Sequence, residues 1–195
     1  MRRLVLLALV MLARASQAQE SDEAIHGELR TILTTLQTAI NNGDYDAMLP
    51  AVSPDIRATT INQETLSSRE DVSAYFKRWF GPGGYLAKLE MTMTPDALTE
   101  LSPDRTWGLA RGTGIERYTL ADGRTYDMQT RWTAVVAKES DGQWRLRGMH
   151  IGTNFLDNPI LTEAANTVRN VGIAAAAGGL LLGALGGFLL GRRRK

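Results

Sequence analysis

Histidine can take up or release a proton near neutral pH, and this sequence contains two, His26 and His150. His150 lies in a segment that alternates like a β-strand, where it shares a predicted face with Trp144 and Asn154. With Asp127 or Arg131 beside it, His150 is a candidate acid/base for a small-molecule isomerase, lyase or hydrolase. The alternative is a core histidine whose nitrogens bond within the protein. The sequence leaves both interpretations open.

A second set of polar and aromatic residues could line a binding pocket. The candidate ligand-binding residues are Arg57, Asn62, Tyr75, Trp79, Arg111, Arg131, Trp132 and Asn154. A guanidinium such as that of Arg131 can hold an anionic ligand through paired hydrogen bonds, or it can pair with an acid across a sheet, which we favour. The aromatic residues between Tyr75 and Phe80 recur at helical spacing, so they could line a cavity or form ordinary core.

Metal and phosphate chemistry have little support in the sequence. The chain has no cysteine and only two histidines, and no ligand pair stands at metal spacing, so we expect no metal and no cofactor. The glycine-rich segment at residues 81–84 follows a predicted helix and precedes a strand, the reverse of the order in a phosphate-binding loop.

These residues are positioned by helices that come first and strands that follow. Apolar spacing predicts a long helix from Ser21 to Asn42, and a capping-box pattern at Ser67–Glu70 begins a helix that ends at Gly81. A short helix is expected at residues 44–49. Strands are predicted at residues 56–61, 87–93, 97–101 and 106–120, followed by a long hairpin at 124–159 around the turn at 140–143. This order predicts an α+β domain with three N-terminal helices against a curved, mostly antiparallel sheet.

Three segments in this order resemble a known superfamily. They are Asn42-Gly43-Asp44-Tyr45-Asp46-Ala47-Met48, Arg57-Ala58-Thr59, and Ser68 to Phe76 (SREDVSAYF). Together they resemble the NTF2-like superfamily and, within it, the SnoaL-like branch that also includes ketosteroid isomerase. The resemblance covers about residues 22–158, and it implies a cone-shaped fold with a pocket open at one end.

The resemblance does not choose a function, because the superfamily includes enzymes, ligand carriers and association domains. The carboxylic acids of the isomerases would fall near Thr59 or Thr60 and near Thr133 or Ala134, and none of these side chains can serve. We therefore expect a domain that binds a small molecule or a protein partner without catalysis, with the His150 enzyme as the alternative.

Both ends of the chain predict export and membrane attachment. Residues 1–18 combine two arginines, an apolar run and a small-residue cleavage pattern, as in a signal peptide; an uncleaved anchor is the alternative. Residues 171–191 carry no charge and are long enough to span a bilayer, and four basic residues follow at 192–195. A linker at 159–170 joins this span to a domain at 19–158. The basic tail predicts a single-pass inner-membrane protein with its domain outside the cytoplasm.

The charge of the predicted domain and the spacing of small residues in the predicted span indicate which partners the protein could bind. Of the 22 basic residues, three lie in the predicted signal and four in the tail, which leaves 15 against 21 acidic residues. An acidic domain argues against nucleic acid as a partner. Small residues recur every fourth position through the span, at Ala175, Gly179, Gly183, Gly187 and Gly191. This ridge favours a homodimer, although glycine is also common in membrane helices that pair with nothing.

Overall fold

The computed structural model describes residues 2–192, with side chains at residues 22–188 and 192. It divides into two compact units, one ending at Thr153 and the other beginning at Asn154. The elements of the first unit, in chain order, are helix α1 (Arg2–Asn41), a 3₁₀ helix (Leu49–Ala51), strands β1 (Val52–Thr59) and β2 (Thr65–Leu66), helix α2 (Arg69–Phe80), and strands β3 (Leu86–Pro95), β4 (Glu100–Leu101), β5 (Trp107–Leu120), β6 (Thr125–Lys138) and β7 (Trp144–Thr153). The second unit contains helix α3 (Pro159–Arg192).

Helix α1 contains the predicted amphipathic helix and extends it toward the N-terminus. It stops where the chain reaches Gly43, whose positive φ of 70° favours glycine, and whose N–H bonds to the carbonyl of Ile40 at 3.0 Å. The predicted signal peptide, residues 1–18, falls on the part of α1 whose side chains lie outside the described set. It stays a prediction, as does the tail at 193–195.

The second predicted helix differs from the structure. Residues 45–48 form turns that lead into the 3₁₀ helix, which contains Pro50 as its second residue. Asp44 stabilises the first turn by accepting a hydrogen bond from the N–H of Ala47 at 3.2 Å. Because proline has no N–H to donate, it fits the start of a helical segment, and it lies inside this one rather than limiting an earlier helix.

The cap of α2 lies one residue later than the sequence pattern suggested. Ser68, not Ser67, is the N-cap, and its hydroxyl accepts from the N–H of Asp71 at 3.0 Å. The carboxylate of Asp71 in turn accepts from the N–H of Ser67 at 2.9 Å. Asp71 thus makes the side-chain hydrogen bond back to the preceding backbone that Glu70 was expected to make. The helix ends at Gly81, as predicted.

The sheet runs in the order β2-β1-β7-β6-β5-β3, with β4 pairing beside β5. Among the described strands, every pair is antiparallel except β1 with β7, so the predicted mostly antiparallel α+β fold is confirmed. Helix α1 covers the edge strand β3: Asn41 exchanges two hydrogen bonds with the backbone of Met91, at 2.6 and 3.0 Å, and Gln37 accepts from the N–H of Met93 at 2.9 Å. These bonds occupy backbone groups that an edge strand leaves unpaired.

A β-bulge in β7 reverses the faces expected for the second half of that strand. Val136 pairs with Leu146 and Val135 pairs with Gly148, so the intervening Arg147 has no counterpart on β6. Trp144 and Leu146 are buried, whereas His150 beyond the bulge is exposed. The expectation that His150 shares a face with Trp144 is therefore wrong, because the sequence pattern assumed uninterrupted alternation.

In the second unit, the segment from Pro159 to Phe188 forms a helix long and apolar enough to cross a membrane. Its length and composition are consistent with a single-pass membrane anchor.

Candidate functional site

A cavity of about 470 Å³ lies between the helices and the concave face of the sheet. Its walls are mostly aliphatic, methionine and aromatic side chains from α1, α2 and strands β1, β3, β5, β6 and β7. On the helix side the lining includes Leu33 and Leu36, and on the sheet side it includes Met91, Met93 and Ile151. A largely apolar enclosure of this size suits a small organic ligand.

One end of the cavity meets solvent. Among its lining residues, the exposed ones are Arg30 on α1, Pro95 at the end of β3, and Ala97 and Leu98 just after that strand. Pro95 pairs with Gly112, and Glu116 lies four residues further along β5, so the strand leads about 13 Å from this mouth to Glu116. The cavity is therefore elongated, with Glu116 away from the mouth.

Glu116 is a carboxyl group in an otherwise apolar wall. It is 2% exposed and lines the cavity. Thr130 donates its hydroxyl to Oε1 at 2.9 Å, and the phenol of Tyr118 donates to Oε2. Burial raises the pKa of Glu116, and the two hydroxyl donors counter only part of that effect. Burial and the adjacent carboxyl also raise the pKa of Tyr118, so this phenol keeps its proton.

Small residues on β5 make room for this cluster. The inward face of the strand carries Gly112, Gly114, Glu116 and Tyr118 at alternate positions. Gly114 pairs with Thr130, and a Cβ added there would stand 2.4 Å from the Thr130 hydroxyl oxygen. Glycine at 114 therefore allows Thr130 to lean across the sheet and reach Glu116.

Trp132 packs over the next glycine toward the mouth. A Cβ at Gly112 would lie 2.4 Å from the indole ring of Trp132. The indole N–H donates to the carbonyl of Thr113 at 2.9 Å, which fixes the ring as a cavity wall. Large and small residues thus interdigitate across β5 and β6, and the remaining volume forms part of the cavity.

Tyr75 brings α2 to the Glu116 end. Its ring lines the cavity, and its hydroxyl donates to Oδ1 of Asn62 at 3.5 Å. Burial raises the pKa of Tyr75, and the charges of Glu64 and Glu116 contribute in the same direction. All three side chains line the cavity, and the charge of Glu116 contributes to the raised pKa of both Tyr75 and Tyr118.

Of the residues predicted from the sequence, Tyr75 and Trp132 line the cavity. Asn62 is exposed and bonds to Glu64 and Thr60 at the β1–β2 turn. Trp79 is half-buried, and its indole donates to Glu64 at 2.8 Å. Both therefore belong to a polar cluster on the surface beside Tyr75 rather than to the cavity wall.

The predicted arginines lie on the surface and have protein partners. Arg57 donates to backbone carbonyls of residues 55, 56 and 67. Arg111 pairs with Glu100 at 3.4 Å. Arg131 makes two hydrogen bonds to Asp96, at 3.0 and 2.5 Å, which is the cross-sheet acid pairing that the sequence favoured over an anion site.

The two predicted catalytic residues are not brought together. His150 is exposed and is not among the cavity-lining residues. Asp127 makes paired hydrogen bonds to Arg117 at 2.6 and 2.9 Å. Asn154 belongs to the second unit, where its side chain accepts from the N–H of Leu156 at 3.1 Å. A catalytic role for His150 and Asp127 stays a prediction. Among the side chains that the structure describes, at residues 22–188 and 192, no group of three could hold a metal ion.

Sequence reasoning missed Glu116, although a signal was present. The alternation Gly112, Gly114, Glu116, Tyr118 places the acid on a face with small and aromatic residues, which is typical of an inward face. The neighbouring Ile115 obscured this pattern, because it is the more apolar residue yet is 60% exposed.

A scan against protein-family models matches residues 29–153 to the SnoaL-like domain. The match covers more than half of the chain and ends with β7. The chain therefore belongs to the SnoaL-like family, as its sequence resemblance implied. A search of curated proteins found no match.

Solved structures share the fold at low sequence identity. A hexachlorocyclohexane dehydrochlorinase (LinA) type 2 matches with a TM-score of 0.60 and 12% identity, over 70% of this chain and 90% of that one. A conserved protein from Planctomyces limnophilus matches with a TM-score of 0.56 and 13% identity, over 68% and 98%. A ketosteroid isomerase-like protein from Erwinia carotovora atroseptica matches with a TM-score of 0.53 and 12% identity, over 64% and 92%. At these identities the similarity concerns the fold.

Proposed function

We propose that this protein binds an apolar small molecule in the cavity of its SnoaL-like domain, and that α3 attaches the domain to a membrane. The observation that supports this most directly is the cavity of about 470 Å³, whose apolar walls enclose a buried carboxyl group. Burying apolar ligand surface supplies the affinity, and the polar end orients the ligand.

Membrane attachment and the location of the domain belong to the same proposal. The apolar helix Pro159–Phe188 is the proposed span, and the basic residues that follow it favour a cytoplasmic C-terminus. The domain then binds its ligand outside the cytoplasm, on the periplasmic side of the inner membrane.

The enzyme alternative has less support from the geometry. His150 and Asp127 lie outside the cavity lining, and Asp127 accepts a hydrogen bond from Arg117. The acidic side chain in the described cavity lining is Glu116 instead. Binding without catalysis is therefore the function that we propose.

The test fills the cavity without altering the outer surface. Ala110 lines the cavity on β5, whereas Ile115 on the same strand faces outward and is 60% exposed. Full-length protein in lipid nanodiscs is titrated calorimetrically with 1-octanol, with empty nanodiscs as the reference. We expect saturable one-to-one binding that Ala110→Phe weakens about tenfold or more and Ile115→Phe leaves unchanged. Absence of saturable binding to the folded wild-type protein would refute the proposal.

A further inference from the structure

The Glu116 end of the cavity is rich in hydrogen-bond acceptors. Tyr118 and Thr130 both donate their hydroxyl protons to Glu116, and Tyr75 donates its proton to Asn62. A hydroxyl whose proton is directed at a protein oxygen turns its lone pairs toward a third partner. The hydroxyls of Tyr118 and Thr130 and the carboxyl therefore offer a ligand acceptors at this end of the cavity.

The carboxyl also lacks a compensating charge. Its hydrogen-bond partners are neutral hydroxyls, and no basic side chain of residues 22–188 pairs with it. The basic residues of the cavity lining, His26 and Arg30, lie one turn apart on α1, and Arg30 is exposed at the mouth. A buried carboxylate is costly unless a cation accompanies it. A ligand that brings a positive charge would complete this end of the cavity.

The surrounding walls suit such a charge. Tyr75, Tyr118 and Trp132 line the cavity with aromatic rings, whose faces attract cations. The apolar wall from Glu116 to the mouth runs about 13 Å along β5, the length of a short hydrocarbon chain.

We infer that the cavity selects an amphiphilic amine, whose ammonium group bonds to Glu116 while its hydrocarbon part fills the apolar walls. This inference rests on the proposed function, because it names the ligand class for the same cavity. It assigns Glu116 as the specificity-determining residue and Tyr118 and Thr130 as the residues that orient its carboxyl.

The experiment compares two compounds that differ only at the head group. Full-length protein in nanodiscs is titrated with n-octylamine and with 1-octanol at pH 7.5, and binding to empty nanodiscs is subtracted. We expect octylamine to bind about tenfold more tightly or better, the scale of one hydrogen bond to a charged group. Glu116→Gln should abolish this preference and still bind octanol. The control Glu90→Gln removes an exposed carboxylate from the neighbouring strand β3 and should keep the preference.

The outcomes separate the two proposals. Equal binding of both compounds, or a preference that survives in Glu116→Gln, would overturn the amine inference and leave the cavity as a binding site. Failure of both compounds to bind would overturn the proposed function together with the inference. If Glu116→Gln does not fold, as judged by thermal unfolding, Glu116→Leu takes its place and carries the same expectation.

Discussion

At the scale of single residues, the buried carboxyl of Glu116 makes the free energy of unfolding depend on pH. Burial raises its pKa above the ordinary value of 4.5, so the folded protein holds a proton at pH values where the unfolded chain has released it. The folded state binds more protons between the two pKa values, and the free energy of unfolding must therefore fall as the pH rises through that interval. The stability contribution of the protonated carboxyl is complete only below about pH 4.5.

This sign predicts the behaviour of Glu116→Gln, which keeps the shape and cannot ionise. Relative to wild type, the variant should gain stability as the pH rises from 4 to 8, by about 1.4 kcal/mol for each pH unit between the folded and unfolded pKa values. Denaturant unfolding of the full-length protein in detergent, followed by tryptophan fluorescence at several pH values, measures the difference. The exposed Glu90→Gln serves as the control. A difference for Glu116→Gln that does not change with pH would contradict the assignment.

Two single residues, Arg131 and Glu116, show which features of the site could be predicted from the sequence and which were harder to predict. The pairing of Arg131 with an acid was predictable, because an exposed arginine on a sheet has acids within reach on the next strands. The burial of Glu116 was harder to predict, since the alternation of small and aromatic residues places the acid inward whereas hydrophobicity places Ile115 inward and the acid outward. The strand has the opposite orientation because Gly112 and Gly114 must face Trp132 and Thr130.

At the scale of elements, local signals located the helices and strands well and the interruptions poorly. The end of α2 at Gly81 and the long strands β5 to β7 follow from capping chemistry and from alternation. The bulge at Arg147 lies beside Gly148, and a glycine in a strand is a plausible bulge point, but glycine alone does not fix where the register shifts. The shift depends on how β7 must bend to pair with β6 on one side and β1 on the other, which is a property of the sheet.

The bulge also decides which residues reach the cavity. Met149 and Ile151 line the cavity because the register shift turns them inward. The same shift turns His150 outward, although alternation from Trp144 predicts the reverse. A candidate site inferred by counting along a strand is thus reliable only up to the first bulge, whereas Tyr75 and Trp132, which lie on uninterrupted elements, do line the cavity.

For the whole molecule, the glycine ridge of α3 predicts self-association. A Cβ added at Gly179, Gly183 or Gly187 meets no atom within 4 Å, so packing within one chain does not require these glycines. Small residues at this spacing let two membrane helices approach closely. Gly183→Ile with Gly187→Ile should therefore reduce chemical crosslinking of the full-length protein in membranes.

The matched control places the same two side chains on the other side of the helix. Leu181→Ile with Leu185→Ile keeps the four-residue spacing but lies about 160° away from the ridge, at about 100° per residue. Crosslinking should persist in this variant. If both pairs of substitutions leave crosslinking intact, the ridge is not an interface, and any dimer is held by the SnoaL-like domain.

The orientation of the chain decides which ligands the cavity can meet. Arginine and lysine flanking a membrane helix are retained on the cytoplasmic side, and residues 192–195 are all basic. Because the natural chain has no cysteine, one introduced thiol reports one location without background. Ser140→Cys lies in the exposed β6–β7 turn, and Lys195→Cys lies in the tail. A membrane-impermeant maleimide added to intact spheroplasts should label Ser140→Cys at once and Lys195→Cys only after lysis. The reverse pattern would place the domain in the cytoplasm, where the cavity would be exposed to a different pool of amphiphiles.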